Sequence, residues 1–189
     1  RRVKIRDRQS CETVRNFIIN NFGATTSISS LHDSLRKNGL EISRQTIARY
    51  IQILEDAKIL YCCDRFDMKS KRALSGEKKY YLADLSFYFA LNTDNRINYG
   101  PALENIVFIY ARSMGYAVSI GRIGALYAYV QVALTILSSR KTEDREYRPL
   151  EMIRDNYPKY VATSDTFLQQ RNGIQHINII DFMKKQRCF

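Results

Sequence analysis

The sequence predicts a mixed α/β (α+β) protein of two domains, and three observations predict it. Between Asn38 and Asp84 a turn, a short amphipathic helix, a strand, a basic loop and a returning strand follow one another. Ahead of that stretch two further helical repeats end at Gly23 and at Asn38-Gly39. Beyond it, helical apolar spacing alternates with short β-rich runs. The first two observations together read as a winged helix-turn-helix over residues 1–82, and the third as an α/β domain over 83–189.

In order, RRVKIRDR (1–8) is too polar to pack alone and reads as a linker. The chain starts at Arg1-Arg2 without an initiator Met, so a fragment of a longer protein is expected. A first helix over 9–21 places Val14, Phe17, Ile18 and Phe22 on one face. A second over 27–37 buries Ile28, Leu31 and Leu35, with His32 as a core or boundary histidine. In the third, Ser43 is a natural N-cap, because its hydroxyl can accept from the free N–H groups of the first turn. Ile47, Tyr50, Ile51 and Leu54 then recur at helical spacing, so the opposite face carries Arg44, Gln45, Ala48, Arg49 and Gln52. Long donors beside small residues suit a DNA groove. The hairpin that follows is crowded with Lys69, Lys71, Arg72, Lys78 and Lys79. These five, with Arg44, Gln45 and Arg49, are the predicted DNA-binding residues.

The second domain opens with a strand at 80–83 and a short buried helix at 85–91. A helix from Pro101 repeats Leu103, Ile106, Val107, Tyr110, Ala111 and Met114 and stops at Gly115. Residues 116–123 and 127–136 are β-rich, separated only by Gly124, Ala125 and Leu126. A charged surface helix lies between Ser138 and Asp155, with Tyr147, Leu150 and Ile153 as its apolar seam. Strands at 160–164 and 175–180 flank the Asn172-Gly173 turn, and the chain ends on Asp181, Phe182 and a basic tail.

Composition narrows the function. An apolar fraction of 45% with 26% charged residues is ordinary for a globular protein. The net charge of +11 is concentrated early: residues 1–82 hold 17 basic and 9 acidic side chains, which favours a polyanionic partner such as DNA. The four cysteines form no Cys-x-x-Cys pair and only two histidines are present, so a zinc cage is not expected. Free thiols, no apolar run near the ~20 residues that span a bilayer, and no signal peptide predict a cytoplasmic protein with no membrane partner.

No Gly-rich phosphate loop and no nucleophilic serine–histidine arrangement is present. The helix–strand–strand layout with Glu104 on the helix and Gln131 on the strand is similar to a restriction-endonuclease-like core, in degenerate form. Such cores fix Mg²⁺ with several carboxylates and orient the attacking water with a Lys. Here alanine follows in Gln131-Val132-Ala133 where that Lys belongs, and no aspartate occurs between Asn95 and Thr142. Glu104 and Gln131 are therefore the weak catalytic candidates, and no metal site is expected. Three residues, Gly124 to Leu126, are too few for the further strand such a core needs. Either this is a deletion or a loop carrying the acidic strand is missing there.

YYLADLSFYFAL, GPALENIVFIYARSMGYAVSIGRIG, YVQVALTI, EDREYRPLEMIRDNYPKYVATSD and GIQHINIIDFM together resemble the C-terminal domain of a prokaryotic AAA-type ATPase family. ISRQTIARYIQILEDAKILYCCDRFD resembles that family's winged-helix segment, and VKIRDRQ its junction with the ATPase core. The resemblance spans nearly the whole chain. It implies an upstream domain that uses ATP and Mg²⁺, with no cofactor in the part at hand. Glu104 and Gln131 match the family's helix Glu and strand Gln; its acidic Asp-Phe strand has no counterpart here. Three readings follow: a non-catalytic DNA-binding accessory of an AAA-type ATPase, a protein-interaction module docking on the ATPase core or an acidic partner, and a Mg²⁺-dependent nuclease if an acidic strand is missing. Partners are DNA and the chain's own N-terminal ATPase domain, and self-association is compatible with all three.

Overall fold

A computed structural model describes residues 5, 7–67, 72–93, 96–120, 122–123 and 128–189, except the side chains of 65–67, 72–75 and 122–123. The mixed α/β class holds. The chain forms two compact units, a first reaching Ile97 and, hairpin tip aside, a second spanning Asn98–Phe189.

The first unit begins with α1 (Arg8–Asn20), capped by Asp7, whose Oδ1 accepts from Ser10 N at 3.1 Å. Gly23 (φ 73°) turns the chain into β1 (Thr25–Thr26). Helix α2 (Ile28–Lys37) starts with a capping box between Ser27 and Ser30. Helix α3 (Arg44–Asp56) starts at Ser43, whose Oγ accepts from Thr46 N at 3.2 Å. Strands β2 (Leu60–Asp67) and β3 (Arg72–Leu82) complete a sheet of order β1-β3-β2. The pair β1–β3 is antiparallel, with Thr25 opposite Lys79 and Thr26 opposite Lys78. One core joins these elements: Val14 and Ile18, Leu31 and Leu35, then Ile47, Tyr50, Ile51 and Leu54, with Leu60 and Tyr80 from the sheet. Burying each aliphatic side chain stabilises by roughly 1.5–3 kcal/mol.

Two expectations need correction here. The helix expected at 85–91 exists as α4 (Ser86–Leu91), but none of its residues is fully buried, and Phe89 is 41% exposed. It also packs with the first unit. Tyr88 meets the Phe22 ring edge-on at 5.6 Å, and Asn92 Nδ2 donates to Asn20 Oδ1 at 2.8 Å. The division therefore falls after Ile97, not after Leu82.

The second unit starts with α5 (Tyr99–Ser113), capped by Asn98 and ended by Gly115 at φ 86°. The β-rich run 116–123 is a pair of two-residue antiparallel strands, β4 (Val118–Ser119) and β5 (Arg122–Ile123). Then follow β6 (Tyr129–Val132), α6 (Arg140–Glu151), β7 (Lys159–Thr163), β8 (Gln170–Arg171), β9 (Ile174–Asn178) and α7 (Ile179–Lys184). The sheet order is β6-β7-β9-β8, with β6, β7 and β9 parallel and β8 antiparallel to β9. Asn172 (φ 52°) and Gly173 (φ 77°) form the two-residue turn between β8 and β9. Gly124, Ala125 and Leu126 lie outside the described residues.

Period-two alternation sends the sheet's side chains to two cores. Val130, Val132, Tyr160, Ala162 and Ile177 meet α5 and α7 through Leu103, Val107, Ala111, Ile179 and Phe182. On the other face Tyr129, Val161 and Ile174 meet α6 through Tyr147 and Leu150. Helix α7 replaces the end of the strand expected at 175–180. Asn178 ends β9 and caps the helix, accepting from Asp181 N at 3.0 Å. On α5, Ile106 is 38% exposed, while Asn105 and Phe108 are buried in its place.

Ile47 is fully buried, so Ile47→Ala is expected to lower the unfolding free energy by about 2–5 kcal/mol, and Ser43→Ala by about 1 kcal/mol through loss of the cap, both read from urea denaturation.

Candidate functional site

Packing decides what α3 offers to the outside. With Ile47, Tyr50, Ile51 and Leu54 all buried, Arg44, Gln45, Arg49 and Gln52 are left exposed and Ala48 half-buried. Arg44, Gln45 and Arg49 have no hydrogen-bond or ion-pair partner among the described residues. Gln52 is engaged, its Nε2 donating to Asp56 Oδ1 at 3.0 Å. The helix is held at this angle from its inner side, where Tyr50 Oη donates to the Asp7 carbonyl at 3.1 Å.

The hairpin is less uniform than its lysine count suggests. Lys78 Nζ lies 3.1 Å from Asp64 Oδ1, and that bond, beyond a smaller desolvation cost, holds the lysine above its usual range. Cys62 is its neighbour, with a thiol pushed up to about 11 by burial. Lys79 sits opposite Thr25 in the ladder. Lys69 and Lys71, and the side chain of Arg72, lie outside the described residues. Near the start of α3, His32 Nδ1 lies 3.0 Å from Asp33 Oδ1 on α2, a boundary position as expected.

The second unit does not assemble the pair expected from the sequence. Glu104 is half-buried on α5. Gln131 turns to the opposite face of the sheet, where its Nε2 donates to the buried Glu146 Oε2 on α6 at 2.7 Å. Glu146 Oε1 also takes Arg145 Nε at 2.8 Å. Gln131 thus satisfies a carboxylate under α6. Among the described residues no group of three or more His, Cys, Asp or Glu side chains could hold a metal ion.

A second buried network, not anticipated from the sequence, surrounds His176. Its Nε2 lies 2.7 Å from Thr163 Oγ1, and its Nδ1 accepts from Gln169 N at 3.3 Å. Nδ1 therefore carries no proton, and Nε2–H donates to Thr163. A histidine that activates a hydroxyl must accept at that nitrogen, so this arrangement is the reverse of a nucleophile–base pair. Thr163 Oγ1 also accepts from Asp165 N at 3.0 Å. Burial lowers the His176 pKa, against a smaller opposing pull from Asp165.

Other charges tie elements together. Arg171 on β8 binds three carboxylates of α6, Glu143 at 3.3 Å, Asp144 at 2.5 Å and Glu151 at 2.8 Å, and lies over the Tyr147 ring. Burial works against the Asp155 charge, but Tyr129 Oη at 2.6 Å and Lys159 Nζ at 3.1 Å keep its carboxyl below the usual range.

Residues 1–97 match the family model of a domain of unknown function, DUF8612. The chain belongs to that family. The match ends where the first compact unit ends. Across 96% of its length the chain is 28% identical to an uncharacterised protein of Haemophilus influenzae, and spans 48% of that relative. Across 61% it is 30% identical to the uncharacterised protein MJ1544 of Methanocaldococcus jannaschii, spanning 25% of it. The DUF8612 chain is thus at most about half as long as these curated relatives. No solved structure matches it. No described helix is long and apolar enough to cross a membrane.

Burial puts the His176 pKa of the folded protein below the value of about 6.5 that the unfolded chain has. Its contribution to stability is therefore complete above about pH 6.5 and is lost as pH falls below that value. His176→Gln is expected to flatten this part of a pH series of urea midpoints. Gln131→Ala leaves buried Glu146 short of a donor and is expected to cost about 1–3 kcal/mol in the same measurement.

Proposed function

We propose that this chain is a non-catalytic DNA-binding accessory of an AAA-type ATPase, with the first unit as a winged helix and the second as a degenerate nuclease-like domain. The observation that carries the proposal is the outer face of α3, where Arg44, Gln45 and Arg49 stand exposed with no described partner on a chain of net charge +11. The order α1-β1-α2-α3-β2-β3 with sheet order β1-β3-β2 is compatible with a helix that enters a groove beside a hairpin that follows the backbone. The link to an ATPase rests on the resemblance of the sequence, and the ATP and Mg²⁺ it implies belong to an upstream domain.

Within this reading the contacts are unequal. Arg44 and Arg49 reach phosphates or guanine edges, and Gln45 is placed for an adenine edge. Lys78 contributes less, because its ammonium already serves Asp64. The cytoplasm is the proposed compartment, where four free thiols stay reduced. A nuclease role finds no support in the engagement of Gln131 by Glu146.

Fluorescence anisotropy with duplex DNA across a salt series tests the proposal. Affinity is expected to fall steeply with salt, and Arg44→Ala with Arg49→Ala to flatten the logarithmic slope by about 2, as two phosphate contacts disappear. Lys78→Ala is expected to change it less. Binding without a salt slope, or unchanged in the double variant, would remove α3 from the interface.

A further inference from the structure

One buried ring fastens both ends of a loop. Residues 164–169 leave β7 and lead into β8, and the imidazole of His176 on β9 lies between the two ends. On one side its Nε2 is 2.7 Å from Thr163 Oγ1, which also accepts from Asp165 N at 3.0 Å. On the other its Nδ1 accepts from Gln169 N at 3.3 Å.

The two ends are fastened unequally. At the start, Ser164 donates to the Leu134 carbonyl from its backbone N at 3.1 Å and from its Oγ at 2.6 Å. Asp165 Oδ2 accepts from Ile136 N at 2.9 Å, and Asn178 Nδ2 reaches the carbonyls of Ser164 and Asp165 at 3.2 and 2.9 Å. At the far end, the bond to His176 is joined by one of 3.4 Å from Tyr147 Oη to the Gln169 carbonyl. Phe167 and Leu168, 69% and 46% exposed, lie between the two fastenings.

A proton on the ring acts on its two sides in opposite ways. The neutral imidazole accepts at Nδ1, whereas the imidazolium has two N–H donors and no acceptor. Nδ1–H then meets Gln169 N–H donor to donor, and that bond is lost. Nε2–H keeps Thr163, and the Asp165 carboxylate, 3.7 Å from Nε2, favours the positive charge. The remaining charged groups on the elements packed around β9 have partners of their own. Glu143, Asp144 and Glu151 of α6 bind Arg171 of β8, Glu146 takes Gln131 and Arg145, and Lys159 of β7 binds Asp155. Burial keeps the Tyr147 phenol neutral.

We propose that His176 is an acid-sensitive latch on this loop. Uptake of a proton at Nδ1 frees the stretch from Phe167 to Gln169 and leaves Ser164 and Asp165 in place. Opening lets both Nδ1–H and Gln169 N–H turn to water, which relieves the cost of a charge on a side chain that is 0% exposed when the loop is closed. The release is local, because the fastenings of Ser164 and Asp165 do not use Nδ1.

Amide hydrogen exchange followed by NMR on the 189-residue chain tests this, between about pH 7.5 and about pH 5.5 and corrected for the intrinsic exchange rate. Protection of the Gln169 amide is expected to fall roughly threefold to tenfold at the lower pH, the weight of one hydrogen bond. The Ile136 and Asp165 amides should keep theirs. Long-range nitrogen–proton correlation should show the His176 proton on Nε2 at the higher pH, and His176→Gln should abolish the response at Gln169. A proton found on Nδ1, a Gln169 amide indifferent to pH, equal loss at Ile136 and Asp165, or a response that survives in His176→Gln would overturn the proposal. The tautomer and the exchange pattern are read on the unaltered chain, so they decide the question even if the variant does not fold.

Discussion

The first unit depends on one constraint, the burial of four residues along α3. Ile47, Tyr50, Ile51 and Leu54 lie where α1, α2 and the sheet converge, and each is 5% exposed or less. A helix with one stripe committed to a core has no rotational freedom left. The side chains about half a turn away must face outward, whatever they are. Arg44, Gln45 and Arg49 owe their exposure to the packing of their neighbours, and this makes the face a stable feature of the fold.

That face was legible in the sequence because both of its causes are local. A serine cap and a 3.6-residue apolar period can be read from a short window, and the structure returns the same four buried residues after the same Ser43. Gly23, Gly39 and Gly115, each at positive φ, were legible for the same reason. The second unit was read less well where long-range partners decide. Nothing in the residues flanking Gln131 reveals that Glu146, fifteen positions away on a helix, will face it. Nor does a window around His176 show Thr163 on the neighbouring parallel strand. The strand expected to run to Ile180 stops early because Asn178 can serve as a helix cap, a use that depends on where the sheet ends. In the hairpin, Lys78 was expected among the DNA-binding residues; the structure pairs it with Asp64.

Charge is handled differently in the two units. In the first, Arg44 and Arg49 of α3 have no hydrogen-bond or ion-pair partner among the described residues. In the second, Arg171, Arg145 and Lys159 are matched to acidic groups on or beside α6, and partly buried carboxylates are paired with donors. Pairing of that kind fixes α6 against its sheet, and a guanidinium shared by three carboxylates is a firmer tie than an isolated surface pair. In the second unit these pairs gather on and beside α6, whereas the outer face of α3 in the first carries its arginines exposed.

The hydrogen bond from Tyr50 to Asp7 has a mechanical side. Its acceptor is a backbone carbonyl, so no change of side chain at position 7 can remove it. The bond joins the chain just ahead of α1 to the middle of α3, so the positions of that entry point and of the helix whose outer face carries the exposed arginines are set by one another.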